Sequence, residues 1–354
     1  MVSVQQWTGR EAKALRAALR MSTRAFAEHL GVALRTVAKW EKYGEATQPR
    51  PDTQAILDTA LVRADAAAHG RFEQTLHNSP VKPGAPDHEA WTEDIDRAIV
   101  CLSHQRFTFA SDLLNRWLSR HEPRSLDDRG AYLYGRSLTL LGDLQRDQGA
   151  LLGPLSARHS YARAHGLFTE LAIPRRAAQV ELSLAVVTEM AGQLEASARQ
   201  YEQLAADERL SHRDRARARL WVGTALSKKG DNEYATQVMQ TAIRDFEDLG
   251  EPEDWSVAHQ KLALAHRGAG ELTQALHFIG IARSTGSVDS PMQHVRLDTA
   301  YSHILLSDPA TRDDGLTVLD DAARMASQHG LSHQLRSIEG IRRSYDDPPV
   351  LMSR

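Results

Sequence analysis

Thr23 to Lys42 reads TRAFAEHLGVALRTVAKWEK. Apolar residues recur here at helical spacing, and a glycine interrupts them once. Phe26 and Leu30 stand at i and i+4, which places them on one face of a short helix. Ser22 precedes that helix and is a capping residue. Gly31 ends it and can take the positive φ of a sharp turn. Val37 and Trp40 then repeat an apolar spacing over Leu34 to Lys42. The stretch predicts two short helices joined by a three-residue turn.

The flanking sequence extends the helical reading. Thr8 and Glu11 have capping-box spacing, so a first helix is expected over Thr8 to Arg20. Pro49 and Pro51 interrupt the chain. Asp52 is read as the cap of a fourth helix over Thr53 to Ala68, continued from Ala66 to Leu76.

With the apolar slots directed inward, the outward positions follow. Arg35, Lys39 and Lys42 fall at i, i+4 and i+7 on one face, with Thr36 beside them. Residues 1–76 carry 11 Lys+Arg against 8 Asp+Glu, whereas the whole chain has a net charge of −3. The basic excess therefore lies with this segment, although its size alone decides nothing.

The segment resembles the helix-turn-helix of lambda-type repressors and the wider XRE regulator family. Ala27 stands where the two helices cross, Gly31 is the turn glycine, and every apolar slot is filled. The Trp40-Glu41 pair also matches the family. Arg16 stands where relatives carry a basic residue, which implies a partly buried pair with Glu41. The resemblance implies a recognition helix in the DNA major groove. Arg35, Thr36 and Lys39 then face base edges, Leu34 or Ala33 a thymine methyl, and Thr23 and Arg24 phosphates, with Lys42 and Arg50 as further contacts. Ala33 departs from the pattern because it offers no capping oxygen. A solvated basic face on an ordinary helix pair is the alternative reading.

The chain of 354 residues is long enough for two or three units. His77 to His88, HNSPVKPGAPDH, is read as a proline-rich linker. Beyond it, the pairs Gly192-Gln193, Gly230-Asp231 and Gly270-Glu271 are 38 and 40 residues apart. Small residues recur around each: Ser197, Ala235 and Ala275 after the turn, and Ala185, Gly223 and Ala263 before it. Leu204, Ala242 and Ala282 follow further on. This is the pattern of antiparallel helix pairs in close approach, and it resembles the tetratricopeptide repeat. Five or six units are expected over residues 90–345, with Leu331 to Tyr345 as a closing helix.

The expected architecture is all-α. Residues 1–76 form a lambda-repressor-like helix-turn-helix domain and 77–88 the linker. Residues 89–345 form a tetratricopeptide superhelix for ligand or partner binding and dimerisation, and 346–354 a flexible tail. In such a superhelix the first helix of each pair lines a groove. The groove candidates are Arg129, Tyr132, Arg136, Gln179, Glu189, Arg217, Lys228, Gln260 and Arg267, whose arginines can hold a carboxylate. Each taken alone is better read as a solvated polar group.

Little suggests an enzyme. The sixteen histidines are scattered, and no metal-protease motif, phosphate loop or nucleophile elbow occurs. The single cysteine, Cys101, excludes an internal disulfide and is read as a small buried residue. No cofactor or metal is expected. No run reaches the roughly 18 apolar residues of a membrane span, so a cytoplasmic, nucleoid-associated protein is expected.

The combination resembles the RRNPP-type quorum-sensing regulators, as found in actinobacteria. It implies a homodimer on a palindromic operator, controlled by a signalling peptide or other small ligand. The chain has only Asn78, Asn115 and Asn232, whereas relatives often grip peptide backbones with groove asparagines. The alternative is a DNA-tethered scaffold that recruits a partner protein.

Overall fold

The structure, a computed structural model, describes residue 4 and residues 7–78, 86–285 and 290–346. The centre of the proline-rich connection and the tail beyond 346 lie outside the described residues. The chain divides into two compact units, Met1–Gly84 and Ala85–Arg354. The described secondary structure is helical throughout.

The first unit contains α1 (Gly9–Ala18), α2 (Thr23–Leu30), α3 (Leu34–Tyr43), α4 (Pro51–Val62) and α5 (Ala66–Asn78). Thr8 caps α1 with Glu11 completing the box. The Ser22 hydroxyl caps α2 by accepting from Ala25 N at 3.1 Å. Gly31 takes φ +68°, the left-handed conformation that the turn requires. Ala33 caps α3 with no side-chain hydrogen bond.

One expected helix is corrected. α4 starts at Pro51 with Arg50 as its cap, not with Asp52. Proline is preorganised for the first helical position, and Asp52 instead sits in the first turn, where it complements the helix dipole. The helix also stops at Val62. The Asp65 carboxylate then accepts from Ala68 N at 2.6 Å and starts α5 anew.

The core of this unit gathers Phe26, Leu30, Val37 and Trp40 with Leu15, Leu57 and Phe72. Fully burying a side chain of this size contributes about 1.5–3 kcal/mol. Trp7 is buried beside Phe72, and its indole N–H donates to Asp58 at 2.7 Å. α5 lies along α1, where Arg71 Nε donates to the Ala18 carbonyl at 2.9 Å. α1 approaches the end of α3 so closely that a Cβ on Gly9 would stand 2.2 Å from the Trp40 carbonyl oxygen.

The second unit begins with α6 (His88–Ser103) and α7 (Phe107–Leu118). It continues with α8 (Asp128–Asp147), α9 (Ala157–Glu170), α10 (Pro174–Met190), α11 (Leu194–Ala205), α12 (His212–Lys229) and α13 (Asn232–Leu249). The last helices are α14 (Pro252–Gly268), α15 (Leu272–Thr285), α16 (Pro291–Leu305), α17 (Arg312–Gln328) and α18 (Ser332–Asp346). Each even-numbered helix through α16 packs on the next in a hairpin, and also on its counterpart one repeat on, as α12 does on α14. This is the stacked-hairpin order of a helical repeat array.

The turn glycines Gly192, Gly230 and Gly270 have φ of +84°, +100° and +80°. The small residues around them are buried: Ser197, Ala235 and Ala275 are fully enclosed, as is Ala263. Gly223 allows α12 to touch α13, since a Cβ there would stand 2.6 Å from Met239 Cγ. Large side chains fill the remaining space, with Tyr161, Tyr201 and Phe246 fully buried. Cys101 is buried and free.

The array curls until its two ends meet. One apolar cluster joins Ala98, Leu113 and Leu144 from α6–α8 to Met292, Leu319 and Ile338 from α16–α18. Arg336 donates to the Gln148 carbonyl at 3.3 Å across this closure. Arg296 approaches Asp147 at 4.0 Å in the same region. α8, α10, α12, α14 and α16 thereby bring charged side chains into one neighbourhood.

Candidate functional site

α3 presents Leu34, Arg35, Lys39 and Lys42 as exposed side chains, with Thr36 half-buried. The face opposite carries Val37 and Trp40 into the core. The basic side chains are therefore outward because the apolar spacing fixes the helix rotation. No described carboxylate lies within ion-pairing distance of Arg35, Lys39 or Lys42. Lys42 lies over the exposed Tyr43 ring at 5.3 Å. Thr23 and Arg24 stand at the start of α2. Arg24 pairs with Glu28 at 3.4 Å, but both are exposed, so the pair is weak and easily exchanged. Arg50 is exposed at the start of α4.

Arg16 Nε meets Glu41 Oε1 at 2.5 Å, and Arg16 Nη1 donates to the Met21 carbonyl at 2.7 Å. One side chain thus ties the end of α3 to α1 and to the residue before the Ser22 cap. It fixes the orientation of α3 within its unit.

The groove candidates of the second unit are more heterogeneous than the sequence suggests. Arg129 is exposed at the start of α8. The Tyr132 hydroxyl accepts from Arg176 at 3.2 Å and also bonds Arg136. Burial pushes this hydroxyl's pKa up, but the two arginines outweigh that and hold it below the ordinary tyrosine value. Gln179 accepts from Arg176 at 3.0 Å and donates to Asp214 at 3.0 Å. Arg217 and Arg213 share Asp254, at 2.9 and 2.7 Å. These residues form a polar lattice between successive first helices.

Three candidates are committed to partners within the protein, two of them buried. Gln260 is buried, and its amide donates to the Arg296 carbonyl at 2.7 Å, so it joins two repeats and does not line an open groove. Arg267 donates to the His303 carbonyl at 3.1 Å and bonds the His303 ring. Glu189 is buried, accepting from Tyr201 at 2.8 Å and Lys228 Nζ at 2.6 Å. Stacking of helix pairs buries the repeat-facing edge of each first helix, which a groove assignment from spacing alone does not separate from the open edge.

Three cations that the sequence reading passed over are central: Arg146, Lys261 and Arg296. Arg146 bonds Asp143 at 3.0 Å and Asp147 at 3.3 Å. Burial alone would lower its pKa, yet Tyr161, Asp147 and Asp143 raise it above the ordinary arginine value. Asp143 has a raised pKa, chiefly through burial, and accepts from Tyr161 at 2.7 Å. Lys261 Nζ lies 5.7 Å from the Trp221 ring centroid. A signal for Lys261 was present: Lys261 and Trp221 each stand nine residues before a turn glycine, Gly270 and Gly230.

No described helix is long and apolar enough to cross a membrane. No group of three or more potential metal-ligating His, Cys, Asp or Glu occurs among the described residues.

No protein-family model matches the chain. No curated protein sequence matches it. Solved structures do. A Rap conjugation gene regulator of plasmid pLS20, in complex with the Phr* peptide, is 13% identical with a TM-score of 0.51. The match covers 98% of this chain and 82% of that one. A Rap protein complexed with competence and sporulation factor is 15% identical, TM-score 0.47, over 95% of this chain and 98% of that one. Bacillus thuringiensis PlcR in complex with the peptide PapR7 and DNA is 14% identical, TM-score 0.38, over 78% and 95%. Of these three the plasmid regulator alone exceeds 0.5, and the likeness is one of fold.

Proposed function

We propose that the chain is a sequence-specific DNA-binding regulator whose helical-repeat unit receives a peptide or other small ligand. The observation that carries the DNA half is the α3 face. Arg35, Lys39 and Lys42 are exposed and lack a described carboxylate partner, on a helix whose opposite side is fixed in the core. An arginine in the major groove contacts guanine in bidentate fashion, and lysines at i+4 and i+7 extend the contact toward phosphates. The peptide half is supported by the fold shared with the plasmid regulator, which was solved with a peptide.

As a homodimer, the protein sets two α3 helices about 34 Å apart on a palindromic operator. A ligand acts only through a difference in affinity between two forms of the repeat unit. In this reading residues 1–76 bind DNA and residues 89–345 sense the signal and dimerise, and the protein works at the nucleoid.

The test is operator selection from random DNA, followed by binding measurements with and without a protein-free fraction of culture medium. A selected palindrome and a shift in its affinity support the reading. No selected sequence removes the DNA half. An affinity that moves only with a recovered protein partner replaces the diffusible signal with a scaffold.

A further inference from the structure

Five helices of the second unit place charged groups at the closure of the array. Each carboxylate there is already partnered. Asp143 is held by Arg146 and Tyr161, Asp147 by Arg146, and Glu189 by Lys228 and Tyr201. Two cations remain. Lys261 has no carboxylate within ion-pairing distance among the described residues, only the Trp221 ring face. Arg296 has only Asp147, at 4.0 Å, and that carboxylate is already bonded to Arg146.

Lys261 is half-buried on α14, beside Gln260, whose amide donates to the Arg296 carbonyl of α16 at 2.7 Å. Burial, then Lys228 and Arg296, bring its pKa down to about 8, against the pull of Glu189. Arg296 is likewise below the ordinary arginine value, through burial and the charge of Arg146, with Asp147 opposing. His333 on α18 responds to the same field. Burial lowers its pKa first, and Arg336, Arg296 and Lys228 lower it further. Arg146, Lys228, Lys261 and Arg296 therefore outnumber the carboxylates Asp143, Asp147 and Glu189 in this region. The excess lies in a segment, residues 77–354, with 32 basic and 38 acidic residues, so its sign opposes the net charge of the segment.

Half-buried cations set side by side with no carboxylate between them repel one another, the more so where packing removes part of their water. An anion entering between these groups would remove the repulsion and gain charge-assisted hydrogen bonds. The arginine supplies a planar fork for a carboxylate, and the lysine a point charge beside it. We propose that Lys261 and Arg296, flanked by Lys228, form an anion site inside the repeat unit that seats a carboxylate of an acidic peptide. The peptide part rests on the function proposed above.

The test uses the full chain and two synthetic hexapeptide libraries, one with glutamate fixed at one position and one with glutamine there. Retention is read by equilibrium dialysis and mass spectrometry. The glutamate library is retained about tenfold better. Lys261→Met and Arg296→Met bring the two libraries to parity, Lys261→Arg keeps the preference, and neither methionine variant lowers the unfolding midpoint. Equal retention by the unaltered chain overturns the anion site and leaves the peptide reading standing. Retention of neither library overturns the peptide reading. The anion site is then judged with inorganic phosphate, through the rate at which Lys261 is acetylated. Protection by phosphate upholds an anion site for another ligand, and no protection overturns it.

Discussion

Arg16 and Glu41 meet at 2.5 Å although 25 residues separate them. Both are one-fifth exposed, so the pair is neither a loose surface contact nor a fully desolvated one. Arg16→Met leaves Glu41 without its cation and the Met21 carbonyl without its donor. The expected cost is about 1–3 kcal/mol. Hydrogen exchange of the α3 amides in the full chain will show it as faster opening there, with α12–α15 unchanged. Equal protection of α3 in the variant would remove the pair's positioning role.

Arg35→Ala will reduce discrimination between the selected operator and random DNA, most at one base position, while leaving helix content unchanged. One bidentate base contact discriminates by about 1–3 kcal/mol. Lys42→Ala will instead weaken all sequences alike and reduce the slope of affinity against salt by about one unit. Gel-shift titrations at several salt concentrations separate the two. If Arg35→Ala discriminates as well as the unaltered chain, α3 is not the reading helix.

Gly9→Ala tests the approach of α1 to α3. Alanine improves helix propensity by up to about 1 kcal/mol. Here the new Cβ would stand 2.2 Å from the Trp40 carbonyl oxygen and 2.8 Å from that of Gly44, both backbone atoms that cannot swing aside. The variant will therefore be less stable in urea than the unaltered chain, despite the better propensity.

His303 gives a pH dependence. Burial, then the charge of Arg267, hold its pKa down to about 3 from the ordinary 6.5. Between these values the unfolded chain binds a proton that the folded chain refuses. This contribution is fully present above pH 6.5 and is lost as the pH falls, by up to about 1.4 kcal/mol per unit. His303→Phe will flatten the stability curve between pH 6.5 and 4 relative to the unaltered chain, as measured by urea midpoints. An unchanged slope would mean that His303 protonates in place.

Much of the first unit was legible because its signals are local. A Ser22 cap, a Gly31 turn and the apolar spacing of Phe26, Leu30, Val37 and Trp40 fix two helices and their facing sides. The α4 boundary was not, because Asp52 and Asp65 are both good caps and Pro51 competes with the first. In the array, the glycine register placed the turns and the small residues at their contacts. It misassigned Gln260, since spacing along one helix does not say which edge the next repeat covers. It passed over Lys261 and Arg296 because a lone lysine or arginine on a helix looks like any solvated charge.

The sequence by itself determined that the chain is helical, where the hairpins turn, and which face of α3 points outward. Helix period, capping and the backbone freedom of glycine are short-range properties. Only the tertiary structure decided that α8 and α16 meet. That meeting brings Arg146, Asp147 and Arg296 together across some 150 residues. It depends on small rotations summed over every intervening repeat, which no local pattern records.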